Sequence, residues 1–275
     1  MLDELSGVRD RGAVLEVASV GKVYATKGGQ TEALRDITFS VGQGEFVCIV
    51  GPSGSGKTTL LKCIAGLLSP TSGEARFSGR RIGEPPEGLA VVFQEYGRSL
   101  FPWMSVAANV GLALKPMGLA KAECQGRVIE ALRAVGLEHV SQSYPWQLSG
   151  GMQQRVAIAR AVASQPRLLL MDEPFAAVDA QTRAELEDLV RRLWHQFGMT
   201  ILFVTHDVDE SVYLGGRVLV LSGAPTVIQE NLEVDLPDVR DQLTTRRMER
   251  FVELRAHVYE QIQLAKRRNV AAGGT

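Results

Sequence analysis

The run Gly51-Pro52-Ser53-Gly54-Ser55-Gly56-Lys57-Thr58-Thr59 constrains this chain more than any other feature. It fits the pattern GxxxxGK[ST], and its flanks are those the pattern requires. Phe46–Val50 precedes it and is apolar throughout, as in a strand covered on both faces. Leu60, Leu61, Ile64 and Leu67 follow it at helical spacing. Such a loop is a phosphate cradle. Its glycines let successive backbone N–H groups converge, and the helix start adds a partial positive charge. Lys57 would set its ammonium against the β and γ phosphates, and the Thr58 hydroxyl would ligate Mg²⁺.

The rest of the chain offers a sheet to carry the loop. Leu15–Val20, Ile37–Val41, Ala75–Phe77 and Leu89–Phe93 read as strands, punctuated at Gly42–Gly44 and Gly83–Pro86. Leu168–Met171, Ile201–Val204 and Val218–Leu221 follow later. Residues 105–165 read as helical. Within them Ala122–Val135 carries Val128, Ile129, Leu132 and Val135 on one face, and Met152–Ser164 is alanine-rich. Thr182–Phe197 is amphipathic through Leu186, Leu189, Leu193 and Phe197. Strand–helix–strand order implies parallel strands joined by right-handed crossovers. Beyond Leu236-Pro237 the sequence becomes a charged helical tail, Thr244–Arg268.

Composition excludes several classes. Of 275 residues, 45% are hydrophobic and 22% charged, which removes disorder, collagen and coiled coil as descriptions of the whole. Thirty basic against thirty-one acidic residues argue against a broad nucleic-acid-binding surface. Cys48, Cys63 and Cys124 form no CxxC pair and are expected to be buried, reduced thiols of a cytosolic protein. Residues 1–12 are charged and do not read as a signal peptide. No run of about 20 apolar residues occurs, so work at a membrane would require a partner.

Two further segments carry chemistry. Leu168–Met171 ends in Asp172 and Glu173. Asp172 suits Mg²⁺ coordination in a phosphate-loop enzyme, and Glu173 is placed to polarise an attacking water. Leu148-Ser149-Gly150-Gly151-Met152-Gln153-Gln154-Arg155 opens a helix with a hydroxyl, free N–H groups and a dipole, which makes a second phosphate site.

Following a phosphate loop, LSGGMQQR resembles the signature of the ATP-binding-cassette (ABC) ATPases, and the remaining family pattern is found in order over residues 14–225. Tyr24 resembles the aromatic that stacks on adenine. Gln94 resembles the glutamine of the loop that senses Mg²⁺ and contacts a membrane subunit. Ala177-Val178-Asp179 resembles the loop after the catalytic acid, with Val in place of the commoner Leu. His206, in Thr205-His206-Asp207, resembles the switch histidine. The resemblance implies an α/β fold: a P-loop NTPase core with a mixed, largely parallel sheet, an antiparallel β subdomain and an inserted α-helical subdomain. The implied domain is 14–230, with helical residues 95–165 and a tail at 231–275.

The resemblance also implies roles. ATP would be held by Tyr24, by Gly51 through Thr59, by Asp179 and, in trans, by Ser149, Gly150 and Gly151. Lys57, Gln94, Glu173 and His206 would be catalytic. Mg²⁺ would be held by Thr58, Gln94 and Asp172, the last partly through water. Each motif occurs once in the chain, so a second copy would complete each site in a head-to-tail dimer.

Gln94–Met104 lies where the family receives the coupling helix of a permease. Phe101-Pro102-Trp103 either forms that interface or packs the helical region. The run Leu100–Leu114 and the tail resemble the nitrate/sulfonate/taurine branch of bacterial importers. That branch implies a permease, a solute-binding protein met indirectly, and a peripheral place on the cytoplasmic face of the inner membrane. The alternatives are an importer of another small solute, such as a vitamin precursor, or a soluble cassette ATPase acting on nucleic acid or ribosomes. The second is disfavoured because only residues 60–147 separate the phosphate loop from the signature, too few for an inserted coiled coil. A phosphate-loop kinase is disfavoured by LSGG and His206. The tail's Arg246, Arg247, Arg250, Lys266, Arg267 and Arg268 read as a solvated face, with contact to anionic lipid as the alternative. His139, His195 and His257 read as structural or exposed.

Overall fold

The computed structural model describes residues 12–26, 29–94 and 99–272. Its centre is β3 (Phe46–Val50), every residue of which is buried. β3 lies between β8 (Thr200–Val204) and β9 (Arg217–Leu221) in a six-stranded sheet of order β10-β9-β3-β8-β7-β6. There β6 is Leu89–Val92, β7 is Leu168–Asp172 and β10 is Ile228–Glu233. All neighbours pair in parallel except β10, which closes the edge antiparallel to β9. β3, β7 and β8 therefore release their carboxyl ends on one edge. Ligands of open α/β sheets bind at that edge.

A second sheet, of order β2-β1-β4-β5, is antiparallel throughout. It comprises β1 (Ala13–Thr26), β2 (Gly29–Gly42), β4 (Ser72–Phe77) and β5 (Arg80–Arg81). β1 and β2 extend well beyond Leu15–Val20 and Ile37–Val41. The excess is half-exposed, polar ribbon kinked by register shifts, so it lacks an apolar signal. The two sheets sandwich α1 (Lys57–Ile64): Leu60, Leu61 and Ile64 share one core with Leu15, Val20, Ile37, Val47, Ile49 and Leu202. Leu67 lies past the end of α1 and is 51% exposed, contrary to its placement on the apolar face.

The other face of the large sheet is covered by helices. α2 (Val106–Gly111), α3 (Lys121–Ala134) and α4 (Gly150–Ala163) pack together. On α3, Val128, Ala131 and Leu132 are buried but Ile129 is exposed, so the stripe is narrower than its spacing suggests. Fully buried Asn109 ties down the loop before α2. It accepts from Phe101 N–H and donates to the carbonyls of Phe101, Met104 and Ser105. α5 (Ala180–Phe197) and α6 (Val208–Leu214) flank β8 in sequence. Cys48 and Cys63 are buried as expected, whereas Cys124 is only partly buried.

The tail is a 3₁₀ turn, Thr245–Arg247, followed by α7 (Glu249–Ala272). It is latched to the core rather than merely solvated. Arg246 Nη2 lies 2.7 Å from Glu187 Oε2, and its guanidinium stacks on Tyr213 and Phe251. Arg250 pairs with Asp235, and His257 bonds Glu230 on β10. Glu187 is 2% exposed, so losing Arg246 leaves a buried carboxylate with the neutral Gln242 amide and no paired cation. Arg246→Ala is expected to cost about 3 kcal/mol of stability in urea unfolding; an unchanged midpoint would refute the latch. Among the described residues no helix is long and apolar enough to cross a membrane.

Candidate nucleotide site

The loop after β3 is shaped by glycines. Gly54 and Gly56 have φ of 77° and 74°, the left-handed region that side chains rarely adopt. A Cβ on Gly56 would also come within 2.9 Å of Leu34 Cδ2. Gly56 then hands the chain to α1 as its N-cap, so the loop N–H groups sit at a helix start. Ser55 Oγ is buried in this loop with no hydrogen-bond partner among the described residues.

Lys57 is 6% exposed, and its ammonium donates to the carbonyls of Gly51 and Pro52, each at 3.0 Å. Burial pulls its pKa down, while Glu173 and Asp172 oppose that shift. Nζ lies 4.0 Å from Glu173 Oε1. Thr58 Oγ1 donates to Asp172 Oδ1 at 3.3 Å. Burial pushes the Asp172 carboxyl up; the Thr58 bond opposes this. A buried carboxylate beside a hydroxyl, both hard oxygens, fits Mg²⁺.

Glu173 has φ of 43°, a strained conformation for a side-chain-bearing residue. The strain is held by a bond from Glu173 N–H to Val204 O at 2.8 Å, which continues the β7–β8 ladder. Its Oε2 lies 3.0 Å from His206 Nδ1. Tyr24 Oη is 3.2 Å from Thr59 Oγ1, so the ring stands beside the start of α1 with 38% exposure. The edge of the large sheet thus assembles the loop from Gly51 to Thr59, Asp172, Glu173 and His206, and the second sheet brings Tyr24 beside Thr59.

Three predicted elements lie apart. Gln94 is exposed just after β6 and makes no hydrogen bond to this group among the described residues; residues 95–98 fall outside them. Ser149 caps α4 by accepting from Met152 N–H at 3.3 Å. Gly151 has a packing reason as well, since a Cβ there would meet Thr182 Cγ2 at 2.6 Å. Among the described residues no hydrogen bond joins Ser149–Gly151 to the phosphate loop. Asp179 caps α5, accepting from Thr182 N–H at 2.9 Å and its hydroxyl at 2.7 Å, and these bonds pull its carboxyl down.

The structure adds residues that motif reading missed. Arg183 Nη1 pairs with Asp207 Oδ2 at 3.1 Å, and both line a small cavity with Glu173, His206 and Glu210. Only tertiary folding brings them together. Glu210 is buried, and desolvation pushes its pKa up to about 8 from an ordinary 4.5. The folded chain therefore keeps this proton where the unfolded chain has released it. Stability is lost as pH rises from 4.5 towards 8. Glu210→Gln should flatten that slope in urea midpoints measured between about pH 6 and 8; parallel profiles for the two proteins would contradict it.

The sequence profile of the ABC transporter family matches residues 34–176. The chain belongs to the ABC transporter family. Over 223 residues it is 47% identical to the nitrate import ATP-binding protein NrtD of Synechocystis sp., covering 81% of this chain and 83% of that one. It is 39% identical over 249 residues to the aliphatic sulfonates import ATP-binding protein SsuB of Bacillus cereus, covering 90% and 96% respectively. Its fold matches the dimeric post-hydrolysis state of the ATP-binding cassette MJ0796 bound to ADP and Pi. That match has a TM-score of 0.69 and 31% identity, and covers 80% of this chain and 98% of that one. This ABC protein is an ATPase with the α/β cassette fold, its sheets part parallel and part antiparallel.

Proposed function

We propose that this ABC ATPase is the energising subunit of an importer of the nitrate/sulfonate/taurine type. Two copies would close around two Mg²⁺-ATP and drive a separate permease. The observation that carries the reading is a split: Lys57, Asp172, Glu173 and His206 converge at one sheet edge, while Ser149–Gly151 open a helix elsewhere. A second copy supplies the missing hydroxyl and N–H groups. The similarity to NrtD and SsuB, both import ATP-binding proteins, supports the transport role.

Lys57 would leave its loop carbonyls for the phosphates. Thr58 and Asp172 would hold Mg²⁺, with Gln94 as the third group. The metal would neutralise phosphate charge as the γ-phosphoryl departs. Glu173 would hold the attacking water, with His206 fixing its carboxylate at Nδ1. Tyr24 would stack on adenine. Asp179 is committed to capping α5, so its contribution is to place residues 177–179 rather than to bind phosphate through its carboxylate.

Phe101 and Trp103 are 40% and 71% exposed, with ring centroids 5.2 Å apart. That exposure favours the permease-docking alternative over packing within the helical region. Phe101→Ala with Trp103→Ala is expected to leave ATPase activity and thermal midpoint near wild type but to abolish recovery with membranes. A melted protein would instead assign these rings to the core. The test of the whole reading is mild-detergent co-purification from membranes. A polytopic permease in a 2:2 complex is the expected result. Recovery only with ribosomes or nucleic acid would overturn the transport role. A solute-binding protein would act on the permease from the opposite side, and this chain would sit on the cytoplasmic face.

A further inference from the structure

A cleft of about 230 Å³ lies between the C-terminal half of α5 and residues Asp238–Arg240, remote in sequence from every motif above. Arg191, Arg192, His195 and Arg240 line it, against Asp188 and Asp238. Arg191 is buried, and its Nη1 donates to Leu214 O at 2.7 Å. Arg240 Nη1 donates to the carbonyls of Val212, Tyr213 and Gly215 at 3.0, 2.7 and 2.9 Å. Two guanidinium groups therefore share the carbonyl cluster at the C-terminal end of α6. Helix carbonyls attract cations, which explains how the pair is tolerated, but they remove no net charge.

The nearby carboxylates do not restore balance. Asp188 accepts from Tyr213 Oη at 2.6 Å and from Gln242 Nε2 at 3.0 Å, neutral donors that leave its single negative charge in place. Asp238 stands 3.8 Å from both Arg191 Nη2 and His195 Nε2, with its side chain 74% exposed to water. Arg240 Nε donates to Pro237 O, while its Nη2 has no hydrogen-bond partner among the described residues. Burial, followed by repulsion from Arg191, lowers the pKa of Arg240 to about 10. The cleft holds three permanent cations against two carboxylates, an excess of one, and the Asp238 carboxylate is largely hydrated.

We propose that this cleft binds a small free oxyanion, received by Arg192, His195 and the unpartnered Nη2 of Arg240. Planar guanidinium donors suit two oxygens of one anion, and the cleft is large enough for such an ion with its waters. The site reaches the catalytic edge by a short route. α6 begins at Val208, two residues after His206, and ends in the carbonyls that Arg191 and Arg240 hold.

The test is calorimetric titration of the full chain with sodium sulfate at ionic strength fixed with chloride. Mg²⁺ and a non-hydrolysable ATP analogue fill the phosphate loop beforehand, so its own anion cradle is closed to sulfate. One saturable site per chain is expected. Arg192→Ala with His195→Ala, both exposed positions, should weaken it by about tenfold or more. Asp238→Asn, which removes a competing carboxylate, should tighten it. Absence of saturable heat, or wild-type affinity in the double variant at an unchanged thermal midpoint, would overturn the assignment. Binding to phosphatidylglycerol vesicles without binding of sulfate would overturn it in favour of a lipid head group.

Discussion

Glu173→Gln is expected to lower ATP turnover by about 10²- to 10⁴-fold while leaving ATP binding in place. The amide keeps the shape of the carboxylate and its position beside His206, 3.0 Å from Nδ1, but loses the charge that polarises water. Glu173 has φ of 43°, and Gln meets the same backbone strain there as Glu, so the fold should not move. With hydrolysis blocked, the charge bridging two copies persists, and an ATP-bound dimer should accumulate on size exclusion. Turnover within a factor of about two of wild type would remove Glu173 from its role.

Lys57→Ala is expected to act one step earlier, at binding. The ammonium is 6% exposed and already desolvated, so moving it from the Gly51 and Pro52 carbonyls to phosphate oxygens exchanges neutral acceptors for charged ones. Its loss should weaken nucleotide affinity by about two orders of magnitude, or ~3 kcal/mol, in titrations with a fluorescent ATP analogue. Stability should change far less, because the variant also removes a buried charge. Unchanged affinity would refute the phosphate-loop assignment, whatever the effect on turnover.

Glu173 and Lys57 are legible in the sequence because their chemistry is local to short runs of it. A strand buried on both faces writes a continuous apolar run, and β3, β7 and β8 do so from Phe46, Leu168 and Ile201 onward. The residue that leaves such a strand at its carboxyl end reaches the ligand edge. Elements without that signature are missed or shortened. β10, with Gln229, Glu230 and Asn231 in its middle, is an edge strand whose polar side chains hide it. The first half of β2 is half-exposed and reads as loop. Ile129 and Leu67 obey helical spacing yet face solvent, Ile129 because its apolar stripe is wider than the surface that covers it and Leu67 because α1 has already ended before it.

Long-range charge is the least legible. Arg246 and Arg250 look like a solvated basic face in sequence; in the fold they are fixed by Glu187 and Asp235. Arg191 and Arg240 carry no motif, and their common target, the end of α6, exists only after folding. The signature residues behave differently again. Ser149 is found by its pattern, yet within one chain its hydroxyl merely caps a helix. Its proposed partner is the phosphate loop of a second copy, and the proposed function depends on that contact.

The most direct test joins one copy carrying Ser53→Cys with another carrying Ser149→Cys through a short bismaleimide. Both native positions are exposed, whereas Cys48 and Cys63 are buried and each single variant controls for Cys124. A product of twice the chain mass is predicted when the two variants are mixed with Mg²⁺ and a non-hydrolysable ATP analogue, and none with ADP. Failure to form that product with the analogue, or its formation by either variant alone, would contradict the head-to-tail site on which the function rests.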